Sequence, residues 1–328
     1  MRDVVYVRAE DLTQALGALS EGTNPMLLAG GTNVVDYLRT GALVADTLID
    51  IGALPLRDIR VDQSGLMIGA LARMSDVASH ASVRRLFPVV SQALDLSASA
   101  QLRNMATIGG NLMQRTRCAY FRDAGFACNK RRPGSGCAAR EGFNRFHAIL
   151  GGSEHCVATH ASDLAVALMA LDAVVHLESV SRSRQVPLRE FYRRPGETPR
   201  VESVLLPGEM IVNVTCANVA GAARSHYLKL RERASYEFAL VAVAAIINAP
   251  QGIIASARIA FGGVGTVPWR DGDVENALAG CAIVDADALR NAAKSALRGA
   301  EPLRDNGFKV ELGRRALVRA VKAAGGGQ

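Results

Sequence analysis

Residues 26–41 read MLLAGGTNVVDYLRTG. A short apolar run ends on two glycines. Thr32 and Asn33 follow, and then a stretch of helical pattern that stops at Gly41. This predicts a buried strand, a glycine turn and a helix opened by Asn33. Upstream, Asp11–Leu19 places Leu12, Leu16 and Leu19 on one helix face. Downstream, TLIDI at 47–51 is another short strand. The strand–glycine–helix–strand order marks an α/β unit at the start of the chain.

The glycine pair has an echo in TIGGN at 107–111. Each pair follows an apolar stretch and precedes a small polar residue. Glycine lets a ligand approach the backbone closely. Consecutive amide N–H groups can converge on an anion, and a helix start beside them adds favourable partial charge. Together the two loops suit a pyrophosphate, with Thr32, Asn33, Thr107 and Asn111 adding side-chain hydrogen bonds. Neither is GxGxxG or GxxxxGK[ST], and a pair of tight turns is the other reading. A third pair, FGGVG at 261–265, ends a strand and has no polar partner before Thr266, so it reads as structural.

Between and beyond these loops the pattern stays mixed. GLMIGA at 65–70 and EMIVNVT at 209–215 read as strands, and helical pattern runs through SDVASH and SVRRLFPVVSQALDLSASA until TIGGN interrupts it. SDLAVALMALDAVV at 162–175 restarts regular structure with Ser162 or Asp163 capping a helix. A weak boundary falls at NVAGAA, 218–223. Alternating YLKL, an apolar run from Phe238 to Ile247 and IIASARIAFGGV follow, then helices over Asp285–Leu297 and Phe308–Ala323. The tail AAGGGQ is expected to be disordered.

With 328 residues the chain can hold two or three small domains. Its 49% hydrophobic and 21% charged residues suit a globular protein. No apolar run approaches the roughly 20 residues of a membrane span, so no membrane span is expected. The N-terminus carries acidic residues and no apolar h-region, so no signal peptide of its own is expected. The net charge of +7 is local: Arg115, Arg117, Arg122, Lys130, Arg131, Arg132, Arg140 and Arg145 face only Asp123 and Glu141 in that segment. No recognition helix or RNA-binding motif accompanies the patch, so no nucleic-acid partner is expected.

The same segment holds Cys118, Cys128 and Cys137, with Cys156 close behind, spaced C-x9-C-x8-C-x18-C. Zinc ribbons pair ligands as C-x2–4-C, and that pairing is missing. A metal or iron–sulfur cluster, two disulfides and free thiols all stay open on the residues alone. A long loop with little apolar surface argues for a staple, and nearby arginines would balance an anionic thiolate cluster. Cys216, in a strand, and Cys281, beside Gly280, read as small buried hydrophobes. His155 and His160 flank Cys156 and either could serve as a metal ligand, though ordinary polar surface histidines are the favoured reading.

Six blocks occur in order along about residues 1–320: LLAGGTNVVDYLRTG, ATIGGNL, ASDLAVALMALDAVV, LLPGEMIV, YLKLRERASYEFALVAVAA and FGGVGTVPWR. Together they resemble the FAD-binding medium subunit of molybdenum hydroxylases, the xanthine dehydrogenase and aldehyde oxidoreductase family. In most of that family an SD pair follows TIGGN within about ten residues, whereas here Asn111 and Asp163 lie 52 positions apart. This insertion, with RTRC, ACNKR and GSGCAA, is similar to the branch containing the bacterial periplasmic aldehyde oxidoreductase, whose medium subunits carry an additional [4Fe-4S] cluster.

The resemblance implies an α+β fold: a two-subdomain FAD-binding unit of the PCMH type, then a smaller C-terminal α+β domain of the CO dehydrogenase flavoprotein type. The FAD-binding domain would span 1–220, with subdomains at about 1–55 and 56–220 and the cysteine-rich insertion at about 112–161. The C-terminal domain would span 221–328. Leu28, Ala29, Gly30, Gly31, Thr32, Asn33 and Val34 would hold the FAD pyrophosphate, and Thr107, Gly109, Gly110 and Asn111 would form the second FAD loop. Asp163 matches the family's FAD-binding aspartate, Ile211 an apolar contact to the flavin ring and Lys229 a lysine near the flavin. Cys118, Cys128, Cys137 and Cys156 match the cluster ligands. No catalytic residue is expected, because substrate oxidation belongs to another subunit.

The implied function is electron transfer. A large molybdopterin-binding subunit would oxidise an aldehyde, a small [2Fe-2S] subunit would relay electrons, and this chain would pass them through FAD to an external acceptor. Where many relatives carry two acidic residues this chain has Ser235, Tyr236 and Glu237, so NAD is not assigned as acceptor. The compartment implied is the periplasm if the chain is exported folded with a signal-bearing partner, and otherwise the cytoplasm. A stand-alone flavin oxidoreductase and a structural zinc-binding subunit are the alternatives.

Overall fold

A computed structural model describes residues 3–326 and arranges their strands in three sheets. The first is parallel, in the order β1 (Val5–Arg8), β3 (Thr47–Asp50), β2 (Pro25–Leu28). Helix α1 (Leu12–Glu21) begins where the Asp11 carboxylate accepts the Gln14 N–H at 2.8 Å. Helix α2 (Val34–Thr40) follows the first glycine loop and ends at Gly41, whose φ is +70°. Asn33 stands at the cap position of α2 but makes no capping hydrogen bond there, because its side chain is engaged across the cleft.

The second sheet is antiparallel, in the order β4 (Ile59–Asp62), β5 (Gly65–Gly69), β8 (Met210–Ala217), β6 (Val174–Glu178), β7 (Ser183–Pro187). Helices α3 (Met74–Ser79), α4 (Ala81–Leu86), α5 (Pro88–Asp95) and α6 (Ala100–Arg103) fill the segment read as helical. TIGGN does not interrupt that pattern. Thr107 caps a short helix, α7 (Ile108–Leu112), so this glycine pair lies inside a helical turn. Helix α10 (Asp163–Ala170) is buried at every residue because α5 covers one side and the third sheet the other.

The third sheet is antiparallel, in the order β12 (Trp269–Arg270), β11 (Ser256–Gly262), β10 (Val241–Asn248), β9 (Ser225–Leu230). The apolar run of β10 is explained by its two faces. Ala242, Ala244 and Ile246 join the core of the preceding unit, while Val241, Val243, Ala245 and Ile247 pack in a second core with α13 (Ala286–Ala293) and α14 (Phe308–Gly325). Helix α12 (Gly272–Leu278), capped by Asp271, was not legible as a helix. The expected tail disorder is corrected in part: Ala323–Gly325 continue α14 and Gly326 caps it, while residues 327 and 328 lie outside the described residues.

The cysteine insertion has more structure than its sequence suggests. It holds helices α8 (Ala119–Arg122) and α9 (Ala138–Glu141) and an antiparallel bridge between Cys128 and Cys137. Its cations act as tethers. Arg131 donates to the carbonyls of Tyr120 and Phe121, Arg122 pairs with Asp36 at 2.7 Å, and Arg145 pairs with Glu232 at 2.9 Å. The insertion also leans on the C-terminal unit. Asn306 Nδ2 donates to the Asn144 carbonyl at 3.3 Å and the buried Lys309 Nζ donates to the His147 carbonyl at 2.9 Å.

Candidate functional site

β2 runs directly into the first glycine loop. A side chain at Gly30 would put its Cβ 1.8 Å from the Met105 carbonyl oxygen, so the segment before the second loop can touch the first only where no Cβ exists. Gly31 takes a φ of +73°. Among the described residues, the backbone N–H groups of residues 30–34 donate to no protein acceptor. Five adjacent amides without partners form a concavity suited to an anion.

The second loop is sealed by its own hydrogen bonds. The N–H of Ile108 donates to the Ala72 carbonyl, Gly109 to Ala70, Asn111 to Thr107, and Gly110 to the Thr107 hydroxyl. The expected convergence of amides from both loops therefore holds only for the first. Asn111 is turned into the core, where its Oδ1 accepts from Ser162 at 2.5 Å, and Asn33 spans the cleft by donating to the Gly110 carbonyl at 3.5 Å.

The two loops face each other across a cavity of about 350 Å³. Ala29, Gly30, Gly31, Thr32, Asn33, Val34, Thr107, Gly109, Gly110 and Ile211 all line it. Apolar side chains from α1 and β2 complete one wall. Leu28 and Asn111 lie behind the lining.

Asp163 and Lys229 lie apart from that cavity and together. Lys229 Nζ donates to Asp163 at 2.8 Å with both side chains buried. The same carboxylate accepts from Tyr227 at 2.7 Å and Ser97 at 3.0 Å. Ser162 Oγ caps α10 by accepting the Ala165 N–H at 2.9 Å, which leaves Asp163 free for this network. Lys229 is thus buried in an ion pair within β9. Asp163 also lines a smaller cavity with Arg117, Phe238 and Gly262.

Cys118, Cys128, Cys137 and Cys156 border one small internal cavity of their own, with His155 beside them. Burial pushes the Cys118 thiol up to about 12 and raises the Cys156 thiol. All four are free cysteines, and among the described residues no three His, Cys, Asp or Glu side chains form a group set to hold a metal ion. His147 Nε2 lies 3.2 Å from Cys118 Sγ. Cys216 is buried in β8, as expected, but Cys281 is only half-buried because it lies past the end of α12. His160 is half-buried rather than an ordinary exposed surface residue. Its Nδ1 accepts the Ser162 N–H at 3.3 Å, its Nε2 is buried without a partner among the described residues, and burial lowers its ring to about 4.

Sequence reasoning missed Glu202. Burial alone would raise its carboxyl, yet Lys130 and Arg115 hold it below the usual range. Lys130 donates to it at 2.8 Å and Arg115 contacts it too. Part of the insertion's positive charge is therefore neutralised by carboxylates outside the insertion. An isolated Glu in a polar stretch gives no signal of that role.

Residues 2–216 match the family described as the FAD binding domain in molybdopterin dehydrogenase, and residues 226–324 match the CO dehydrogenase flavoprotein C-terminal domain. The chain is 45% identical to the aldehyde oxidoreductase FAD-binding subunit PaoB of Escherichia coli, over 99% of each chain. It is 29% identical to the glyceraldehyde dehydrogenase medium chain of Sulfolobus acidocaldarius, over 84% of this chain and 80% of that one. Its fold matches a chain of the reconstituted CO dehydrogenase from Oligotropha carboxidovorans with a TM-score of 0.77 at 20% identity, covering 100% of this chain and 99% of that one. A chain of quinoline 2-oxidoreductase from Pseudomonas putida 86 also matches with a TM-score of 0.77 at 20% identity, over 99% and 98%.

Proposed function

Since the chain belongs to the FAD-binding medium subunits of the molybdenum hydroxylases, we propose that it is the electron-transferring flavin subunit of an aldehyde-oxidising complex. A large molybdopterin-binding subunit would oxidise the aldehyde and a small [2Fe-2S] subunit would deliver the electrons. FAD, when bound, accepts electrons singly and releases them as a pair to an external acceptor. The observation that carries this reading is the cavity between the two glycine loops, with unpartnered amides on one wall.

The chain's own residues divide the work. The N–H groups of residues 30–34 would cradle the pyrophosphate, and Gly109 and Gly110 would let the opposite wall approach it closely. Thr32, Asn33 and Thr107 would add side-chain hydrogen bonds, with Leu28 and Asn111 supporting the two loops from behind. Ile211 offers an apolar contact, and Asp163, on the smaller cavity and held by Lys229, would meet the flavin there. No side chain here needs to move a proton on the aldehyde.

The four cysteines fit a [4Fe-4S] cluster by donor type and by their shared cavity. Such a cluster would be held by the four thiolates, one from each of Cys118, Cys128, Cys137 and Cys156. The 45% identity to an aldehyde oxidoreductase subunit supports the aldehyde as substrate class. Export with a signal-bearing partner would place the complex in the periplasm.

An absorbance spectrum and iron assay of the purified complex test the whole reading. Flavin bands with broad visible iron–sulfur absorption are expected, and Cys128→Ser should lose the iron of the [4Fe-4S] cluster. A colourless chain holding zinc would sink the proposal in favour of a structural subunit. Purification with full flavin but without molybdenum-containing partners would favour a stand-alone flavoprotein.

A further inference from the structure

We infer that Arg117, supplied by the cysteine insertion, is a binding residue for the pyrophosphate of FAD. The inference rests on FAD binding in this cleft and adds a ligand that neither glycine loop provides. Arg117 Nη2 donates to Asn33 Oδ1 at 2.5 Å. Its guanidinium carbon lies 5.3 Å from the Phe238 ring centre, and its Nη1 is 4.0 Å from Asp36. Its Nε is buried and has no hydrogen-bond partner among the described residues.

Position and charge both favour this role. Asn33 lines the large cavity and Arg117 lines the smaller cavity that holds Asp163, so the guanidinium stands where the two meet. A dinucleotide extending from the large cavity past Asn33 toward Asp163 would pass it. The pyrophosphate is doubly anionic, and burying such charge without a counter-charge is costly. Arg115, the cation on the large cavity, is already held in a direct ion pair with Glu202. Asp36 is held closely by Arg122 at 2.7 Å, which leaves Arg117 with only a long contact to it. Arg117 is thus the least compensated cation at the cleft. A planar guanidinium matches phosphate oxygens two at a time, and Asn33 orients it beside the unpartnered amides of the first loop.

The test uses the intact complex, stripped of flavin and titrated with FAD, while iron content and flavin reduction potential are followed. Arg117→Gln is expected to weaken FAD binding about ten- to a hundredfold, with the deficit shrinking at high salt. Arg117→Lys should recover part of the loss. Arg131→Gln removes another tether of the insertion but touches neither Asp36 nor the cleft, and should bind FAD as the wild type does. Wild-type affinity in Arg117→Gln would overturn the inference. So would an equal loss in Arg131→Gln, which would mean that Arg117 merely orders the insertion. Unchanged affinity with a lowered flavin potential would overturn it too, by placing the guanidinium at the ring. A wild-type complex that takes up no FAD would instead overturn the flavin site itself.

Discussion

The loops at 29–33 and 107–111 are built from nearly the same residues, yet they meet a ligand differently. In the first, the N–H groups of residues 30–34 have no acceptor among the described residues. In the second, the N–H groups of residues 108–111 are all consumed within the protein. One loop is an open row of donors and the other a closed helical turn that forms a smooth wall. The difference comes from what precedes each pair. A strand end leaves amides free, whereas the Thr107 cap and the carbonyls of Ala70 and Ala72 use them. A repeated motif therefore does not imply a repeated role.

Substitutions at the loops separate the two roles. Gly30→Val should have the largest effect, because its Cβ would fall 1.8 Å from the backbone oxygen of Met105 and force the loops apart. Loss of FAD and a fall of several degrees in the Tm of the flavin-free protein are expected, read by flavin-to-protein ratio and calorimetry. Retained flavin at full occupancy would show that the loops need not touch.

Gly110→Val probes the wall alone. A Cβ there meets only the Thr107 hydroxyl, at 3.0 Å. FAD affinity should fall at least tenfold while the Tm of the flavin-free protein stays within about a degree. An unchanged affinity would remove the second loop from the cofactor site.

Asn111→Ala should behave in the opposite sense. It leaves the buried Ser162 hydroxyl without its acceptor and should cost about 1–3 kcal/mol of stability, measured by denaturant midpoint. A loss of flavin affinity without a loss of stability would make Asn111 a ligand after all.

The third glycine pair extends the contrast, since the Gly263 carbonyl is closed by a cation: Lys309 Nζ donates to it at 2.7 Å. Burial lowers Lys309 from 10.5 to about 7. The folded value lies below the unfolded one, so the unfolded chain binds the extra proton between those pH values. Stability should therefore rise with pH from about 7 upward. Lys309→Met should flatten that rise by about 1–2 kcal/mol between pH 7 and 9, compared by chemical denaturation at both pH values. An unchanged slope would mean that Lys309 keeps its proton throughout.

Periodicity and the glycine loops carried much of the architecture. Strands with clean alternation, such as Tyr227–Leu230, and strongly patterned helices, such as α1 and α14, were readable because burial follows their period. Helix α12 was not, since its Val274 and Leu278 are only one turn of apolar pattern in a short polar helix. Order in the cysteine insertion was hidden because arginine–carbonyl and arginine–carboxylate tethers link residues far apart in sequence. The pairing of Asp163 with Lys229, 66 positions apart, was hidden for the same reason. The site's glycines were visible as motifs, but only the hydrogen-bond partners revealed which amides are free.

The contacts between the insertion and the start of α14 also bear on how the chain matures. The carbonyls of Asn144 and His147 accept from Asn306 and Lys309, about 160 residues later. During synthesis the insertion must therefore wait until nearly the whole polypeptide has emerged before its last hydrogen bonds can form. A chain cut short before residue 306 would keep both glycine loops and all four cysteines of the insertion, yet the Asn144 and His147 carbonyls would lack these two donors.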